Sequence, residues 1–150
     1  MRHMAQSPHV VSEELRRTLG FIGMARQNVF VTFSPNDAPV LQPKAIDLLA
    51  GRLHIDTSIL LDVSRIPART FQRRQAEGKA LSETETDRVL RIARVASMAE
   101  RVLGDAEKAT RWLSKENRML GAKPLELLAT DMGTHEVEAE LNRIEMGDFA

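Results

Sequence analysis

Two stretches of this 150-residue chain carry the side chains that could do chemistry, and they are oppositely charged. Between Arg65 and Lys79 five bases (Arg65, Arg69, Arg73, Arg74 and Lys79) face one acid, Glu77, a net of +4. Guanidinium groups neutralise phosphate and bind guanine bidentately, and a glutamine can pair with adenine. Gln72 and Thr70 lie among these arginines. From Trp112 to Ala150 four bases stand against eight acids, a net of −4. This half closes on Arg143, Ile144, Glu145, Met146, Gly147, Asp148, Phe149 and Ala150, hydrophobes held between carboxylates with a terminal carboxylate beyond. Such an end can plug a pocket. The formal net charge of zero therefore hides two surfaces suited to different partners.

Enzymatic chemistry finds little support in the residue types. The four histidines, His3, His9, His54 and His135, show no metal-ligand spacing, and neither a glycine-rich phosphate loop nor a nucleophile elbow is present. With no cysteine there is no disulfide framework, thiolate nucleophile or zinc-thiolate site. The expectation is a non-enzyme with no metal and no cofactor. No apolar run approaches a membrane span and no signal-peptide pattern is visible, so a cytoplasmic, membrane-free protein is expected.

The elements that must position the two charged stretches read as helices. Leu, Ala, Arg and Glu dominate and there is one Trp and no Tyr, a composition that favours an all-α fold of one domain or two small ones. Residues 1 to 11 lack periodicity and are expected to be a loose tail. Ser12 caps a helix in SEELRRTLGFIGMAR, with Leu15, Leu19, Ile22 and then Met24 or Ala25 at helical spacing. Asn28 to Phe33 reads as a short strand and SPNDAP after it as a loop.

From Gln42 short helices follow closely: PKAIDLLAGRL, TSILLDV and PARTFQRRQAEG, the rhythm of a helix-turn-helix. Ile59, Leu60, Val63, Ile66 and Phe71 fall where two crossing helices share a core, and Pro67 suits the first turn of the second helix. That second helix then projects Arg69, Gln72, Arg73 and Arg74 outward. A solvated arginine face is the plain alternative; the consecutive short helices, the proline and the scarcity of acids favour DNA contact by Arg65, Arg69, Thr70, Gln72, Arg73 and Arg74.

Ser82 and Glu85 form a capping box ahead of a long helix from Glu83 to Leu103, ended by Gly104. Arg88, Arg91 and Arg94 on that helix are expected to pair at the surface with Glu83, Asp87 and Asp105 nearby in sequence. Asp105 caps DAEKATRWL, where Trp112 reads as a core anchor, Pro124 starts PLELLAT, and Thr134 caps HEVEAELNRIEM. In this last helix Val137, Leu141 and Ile144 face inward, while Glu136, Glu138, Glu140 and Glu145 lie elsewhere and the earliest acids complement the helix dipole.

Combined, these pieces carry a family resemblance over about two-thirds of the chain, from about Ala45. The motifs are E-x-D-R-x-x-R-x-x-R from Glu85 to Arg94, A-x-x-W-L ending at Leu113, N-x-x-L-G from Asn117 to Gly121, P-L-x-L-L from Pro124 to Leu128, and V-E-x-x-L-x-R-I-E-x-G from Val137 to Gly147. The sequence resembles the Xre/MbcA/ParS antitoxins, an Xre-like helix-turn-helix followed by a C-terminal toxin-binding domain. The resemblance implies a type II antitoxin that pairs with a RES-domain toxin, a NAD-depleting family similar to ADP-ribosyltransferases. It also implies that the C-terminal segment lies near the toxin's NAD site and that the helix-turn-helix represses the antitoxin's own operon. Carried onto this chain, Arg143, Glu145, Met146, Gly147, Asp148, Phe149 and Ala150 become the neutralising end. Family tails commonly carry an aromatic before the glycine and a hydrophobe after it, where Met146 and Asp148 stand here.

The expected division is an N-terminal helix and loop at 1–43, a helix-turn-helix at 44–80 and a toxin-binding helical domain at 81–150. A homodimer within a larger complex is expected, because one short recognition helix reads few base pairs alone. A stand-alone helix-turn-helix regulator with a C-terminal dimerisation domain is the second reading.

Overall fold

A computed structural model describes residues 12–23 and 31–147 of the chain. Its elements are α1 (Glu13–Ile22), β1 (Val31–Phe33), β2 (Pro39–Leu41), α2 (Lys44–Leu53), α3 (Thr57–Ser64), α4 (Ala68–Glu77), α5 (Glu83–Leu103), α6 (Ala106–Ser114), α7 (Pro124–Leu127) and α8 (Asp131–Glu145). The expected all-α class holds, with one small hairpin added.

Helix α5 is the beam of the fold. Its register follows the capping box, in which Glu85 N–H donates to Ser82 Oγ at 3.1 Å and Ser82 N–H donates to Glu85 Oε1 at 2.8 Å. Gly104 closes it in the left-handed region at φ 77°, where glycine carries no Cβ penalty. Val89, Ile92, Ala93, Val95, Ala96 and Ala99 are buried along it, against α1, α2, α3, α6, α8 and β2. Burying each of the larger of these contributes about 1.5–3 kcal/mol.

Arg91 and Arg94 reach other helices instead of the expected sequence neighbours. Arg91 donates to the Leu128 carbonyl at 3.2 Å and meets Asp131 at 2.7 Å, holding the corner between α7 and α8. Arg94 bridges Glu138 of α8 at 2.9 Å and Glu14 of α1 at 3.7 Å. Half-buried arginines on a central helix find carboxylates on whatever packs over them. A second clasp joins three elements: Arg52 of α2 stands 4.8 Å above the Phe21 ring of α1 and pairs with Glu100 of α5 at 2.9 Å.

The N-terminal helix is capped by Ser12 as expected, its Oγ accepting from Leu15 N–H. Met24, Ala25 and the expected strand residues 28–30 lie outside the described residues, as do residues 1–11. The rest of that strand pairs with β2, whose first residue, Pro39, is the last of the expected SPNDAP loop. Val31 stands opposite Leu41 and Phe33 opposite Pro39, and Leu41 is fully buried. Its N–H donates to Thr86 Oγ1 and its carbonyl accepts from Leu81 N–H, so the hairpin is fastened to the start of α5. Proline at the first position of a two-stranded edge leaves no ladder bond broken.

The final helix begins earlier than its sequence indicates. Thr130, not Thr134, is the N-cap, accepting from Gly133 N–H at 3.0 Å, while Thr134 is buried inside the first turn with its hydroxyl on the Thr130 carbonyl at 2.7 Å. Glu136 and Glu138 therefore sit beyond the first turn, whose acid is Asp131. Gly133 permits this start: a Cβ there would lie against the Leu127 carbonyl carbon and oxygen.

Gly133→Ala is expected to force α8 off α7 and to destabilise the protein by about 1–3 kcal/mol, as overpacking does. Gly51→Ala, in α2, is the control. Its Cβ would meet nothing within 4 Å, and helix propensity gives a gain of up to about 1 kcal/mol. Urea denaturation of the two variants checks both signs.

Candidate nucleic-acid interface and C-terminal surface

The basic stretch folds as the expected helix-turn-helix. Helices α3 and α4 are joined by Arg65, Ile66 and Pro67, and the turn needs a left-handed residue, which Arg65 supplies at φ 55°. Ile66 then drops into the core at 3% exposure, alongside Leu60, Leu61, Val63 and Phe71. Ser64 is fully buried and satisfied by the Leu60 carbonyl at 2.6 Å. Pro67 is the N-cap of α4, one position before the expected first turn. Ile59 departs from the expected shared core: it is 43% exposed. It lines a cleft with Ile55, Val63 and Leu125.

Helix α4 buries Phe71 and turns Arg69, Gln72 and Arg73 outward, three exposed donors at i, i+3 and i+4 on one face. Arg65 is exposed at the turn before it, and Thr70 is half-buried. Arg74 is placed differently. Its guanidinium meets Glu85 at 3.0 Å and donates to the Ala80 carbonyl at 3.2 Å, with the side chain only 23% exposed. Arg74 thus ties the end of α4 to the capping box of α5, and the outward donors are Arg65, Arg69, Gln72 and Arg73.

The second candidate surface is α8 and its exit. Val137 and Leu141 are fully buried, as expected, and Ile144 is half-buried. The glutamates divide in a way the sequence did not indicate. Glu138 pairs with Arg94, and Glu140, 8% exposed, is held by Arg143 through contacts of 2.6 and 3.0 Å. Glu136 and Glu145 remain exposed. Arg143, expected at the neutralising end, is therefore first a partner of Glu140.

An outward stripe also runs the length of α8: Met132, His135, Ala139, Asn142 and Met146 are all exposed. Met132 is 77% and Met146 85% exposed, too much for core methionines. The seven-residue spacing from Met132 through Ala139 to Met146 is the sequence signal for this stripe. Past Met146, Gly147 adopts φ 71°, which directs the chain away from the helix axis. Asp148, Phe149 and Ala150 lie outside the described residues. Among the described residues no group of three or more His, Asp or Glu could hold a metal ion, and no helix is long and apolar enough to cross a membrane.

Comparison with known proteins gives two adjoining family matches. The antitoxin Xre-like helix-turn-helix domain matches residues 41–94, and the antitoxin Xre/MbcA/ParS C-terminal toxin-binding domain matches residues 98–147. An antitoxin Xre of Pseudomonas putida is 41% identical over 96 residues, which cover 61% of this chain and 60% of that one. An antitoxin Xre of Yersinia enterocolitica is 33% identical over 104 residues, 65% of this chain and 70% of that protein. A Prs ADP-ribosylating antitoxin of Sphingobium is 28% identical over 108 residues, 65% of this chain and 68% of that one.

The two neighbouring arginines of α4 are expected to behave oppositely when removed. Arg74→Ala strands a nearly buried carboxylate and lowers stability by about 1–3 kcal/mol, whereas Arg73→Ala, exposed, stays within about 0.5 kcal/mol of the parent. Denaturant midpoints measured side by side decide it.

Proposed function

We propose, for a chain that belongs to the Xre family of toxin–antitoxin antitoxins, that it neutralises a NAD-depleting RES-domain toxin with its C-terminal segment and represses its own operon through α3 and α4. The chain carries a toxin-binding domain and a helix-turn-helix, and the family thereby implies a toxin partner and DNA binding. The RES class of the toxin, the NAD-linked activity, autoregulation, a cytoplasmic location and the dimeric state form the finer part of this reading.

One observation carries the proposal: the two functional faces sit on different helices and compete for none of the same residues. Arg69, Gln72 and Arg73 are free to enter a major groove while Phe71 holds α4 down from behind. Arg65 adds a cation at the rim for phosphate, with Thr70 beside the same face. At the other surface, Val137 and Leu141 fix α8 to the core, and exposed Glu145, Met146 and Gly147 precede Asp148, Phe149 and Ala150 in the sequence.

Sites that hold a dinucleotide pyrophosphate supply cationic groups and backbone donors, so a segment with Glu145 and Asp148 matches their electrostatic preference. Met146 and Phe149 add apolar surface between the carboxylates. Gly147 allows the backbone to enter a narrow cleft. Neutralisation on this reading is steric and electrostatic occlusion, with no chemical step performed by the antitoxin. Arg143 contributes by keeping Glu140 and the last turn of α8 in place.

Deletion of residues 145–150 is expected to release toxin activity, read as a fall in cellular NAD on co-expression with the toxin, while operator binding persists. Full neutralisation by the truncated chain would sink the occlusion reading. Arg73→Ala is expected to weaken operator binding by about 1–3 kcal/mol or, if its contact is to phosphate, to reduce the salt-dependence slope by about 1. Toxin binding by this variant should be unchanged; normal operator binding at all salt concentrations would mean that α4 does not read the DNA.

A further inference from the structure

The chain holds seven methionines and no cysteine, so the sulfur it offers to an oxidant is thioether sulfur alone. Among the described residues none of these methionines joins the buried core: Met98 is half-buried, and Met119, Met132 and Met146 are exposed. Met132 and Met146 are the most exposed of the large hydrophobics, and they stand at the two ends of the α8 stripe. Helical pitch sets them about four turns apart on that face. Between them lie His135, Ala139 and Asn142, so no carboxylate or guanidinium belongs to the stripe.

We propose that Met132 and Met146 form a reversible oxidation site, at which a hydroperoxide converts both thioethers to sulfoxides and thereby weakens toxin binding by α8. The inference rests on the reading above that the C-terminal domain docks the toxin, and it assigns that surface a means of regulation. In the step itself a sulfur lone pair attacks one peroxide oxygen. An S–O bond forms and the O–O bond breaks. With hydrogen peroxide the second oxygen leaves as water carrying both protons, sulfur giving up two electrons and the peroxide taking them. Sulfoxide reductases, one for each epimer, reverse the change with thiol as reductant.

The product inverts what the stripe presents. A flexible apolar side chain becomes polar and chiral, with an acceptor oxygen that must lose its water to be covered by a partner. The fold itself has little at stake in either residue. Met132 occupies the first turn of α8, and Met146 caps its end through a backbone bond from its N–H to the Asn142 carbonyl. Helices α3 and α4 contain no methionine, so the proposed DNA face has no matching sensitivity. Oxidation therefore acts on one of the two faces.

Peroxide treatment of the full chain, followed by peptide mass spectrometry and by titration with the co-expressed RES-domain toxin and with operator, tests the proposal. Met132 and Met146 are expected to oxidise ahead of Met98, with circular dichroism and operator affinity unchanged. Toxin affinity should fall about 10-fold or more and return after treatment with both sulfoxide reductases. Each variant is compared with its own untreated form. On that ratio the Met132→Leu, Met146→Leu double variant should change less than about 2-fold, equivalent to about 0.4 kcal/mol, whereas Met119→Leu should lose affinity as the parent does.

Sulfoxides at both positions with unchanged toxin affinity, an equal loss in the double leucine variant, or protection by Met119→Leu would each overturn the site. The occlusion reading fails separately. If the chain lacking residues 145–150 neutralises fully yet loses toxin affinity on oxidation through Met132, occlusion falls and the oxidation site stands; if the parent neutralises as proposed and oxidation changes nothing, the oxidation site alone falls.

Discussion

The carboxylate of Glu85 is the joint on which the arrangement depends. It accepts from the Ser82 N–H that starts α5 and pairs with the Arg74 guanidinium that ends α4. One nearly buried group therefore sets the register of the longest helix and the position of the proposed recognition helix together. Arg74 in turn donates to the Ala80 carbonyl in the link between them, so the short connection from Gly78 to Ser82 is held from both ends. The Leu81 N–H to Leu41 carbonyl bond adds the hairpin to the same junction. Breaking such a cluster leaves charges and donors unsatisfied together, which makes its members more sensitive than isolated surface pairs.

From this joint α5 carries position information in both directions. Its first half lies within the helix-turn-helix match and its second half runs into the toxin-binding match. The same apolar stripe, from Val89 through Ala99, serves as the floor for both. Arg91 and Arg94 extend that role outward, one gripping the α7–α8 corner and the other spanning α1 and α8. A helix shared in this way keeps the two proposed faces at a fixed separation without any residue common to both.

Much of this was legible in the sequence because local chemistry announces helix ends. Ser12, the Ser82–Glu85 box, Gly104, Asp105 and Pro124 all act where their types indicated. The inward Phe71 and outward Arg69 and Arg73 followed from helical spacing. What escaped depends on tertiary proximity. Arg74 looks like its neighbours in sequence and differs because the α4 end abuts Glu85. Thr134 looks like a cap, and only the close approach of Gly133 to the Leu127 carbonyl moves the start of α8 back to Thr130. Strand β2 escaped because three residues beginning with proline give too little alternation to read, and their partner strand lies across a turn. Ile59 followed the apolar pattern yet points out, since periodicity marks a face as apolar without saying whether this chain covers it.

Charge patterning needs the same tertiary correction, and it changes where the acidity of the C-terminal half acts. The net of −4 from Trp112 to Ala150 suggested a broad negative field. Asp131, Glu138 and Glu140 are each matched to an arginine of the fold, while Lys115, Arg118 and Lys123 remain exposed around the acids that are left. The surface of the toxin-binding domain is consequently mixed in sign, and its outward α8 stripe is centred on methionine and alanine. Glu145 is different: it is exposed at the last position of α8, and Asp148 follows it in the sequence after Met146 and Gly147. Shape and apolar contact along α8 then suit docking, and the concentrated charge falls at the point proposed to enter the partner's site. On the proposed reading, that division separates the affinity of the complex from the blocking of the partner's site.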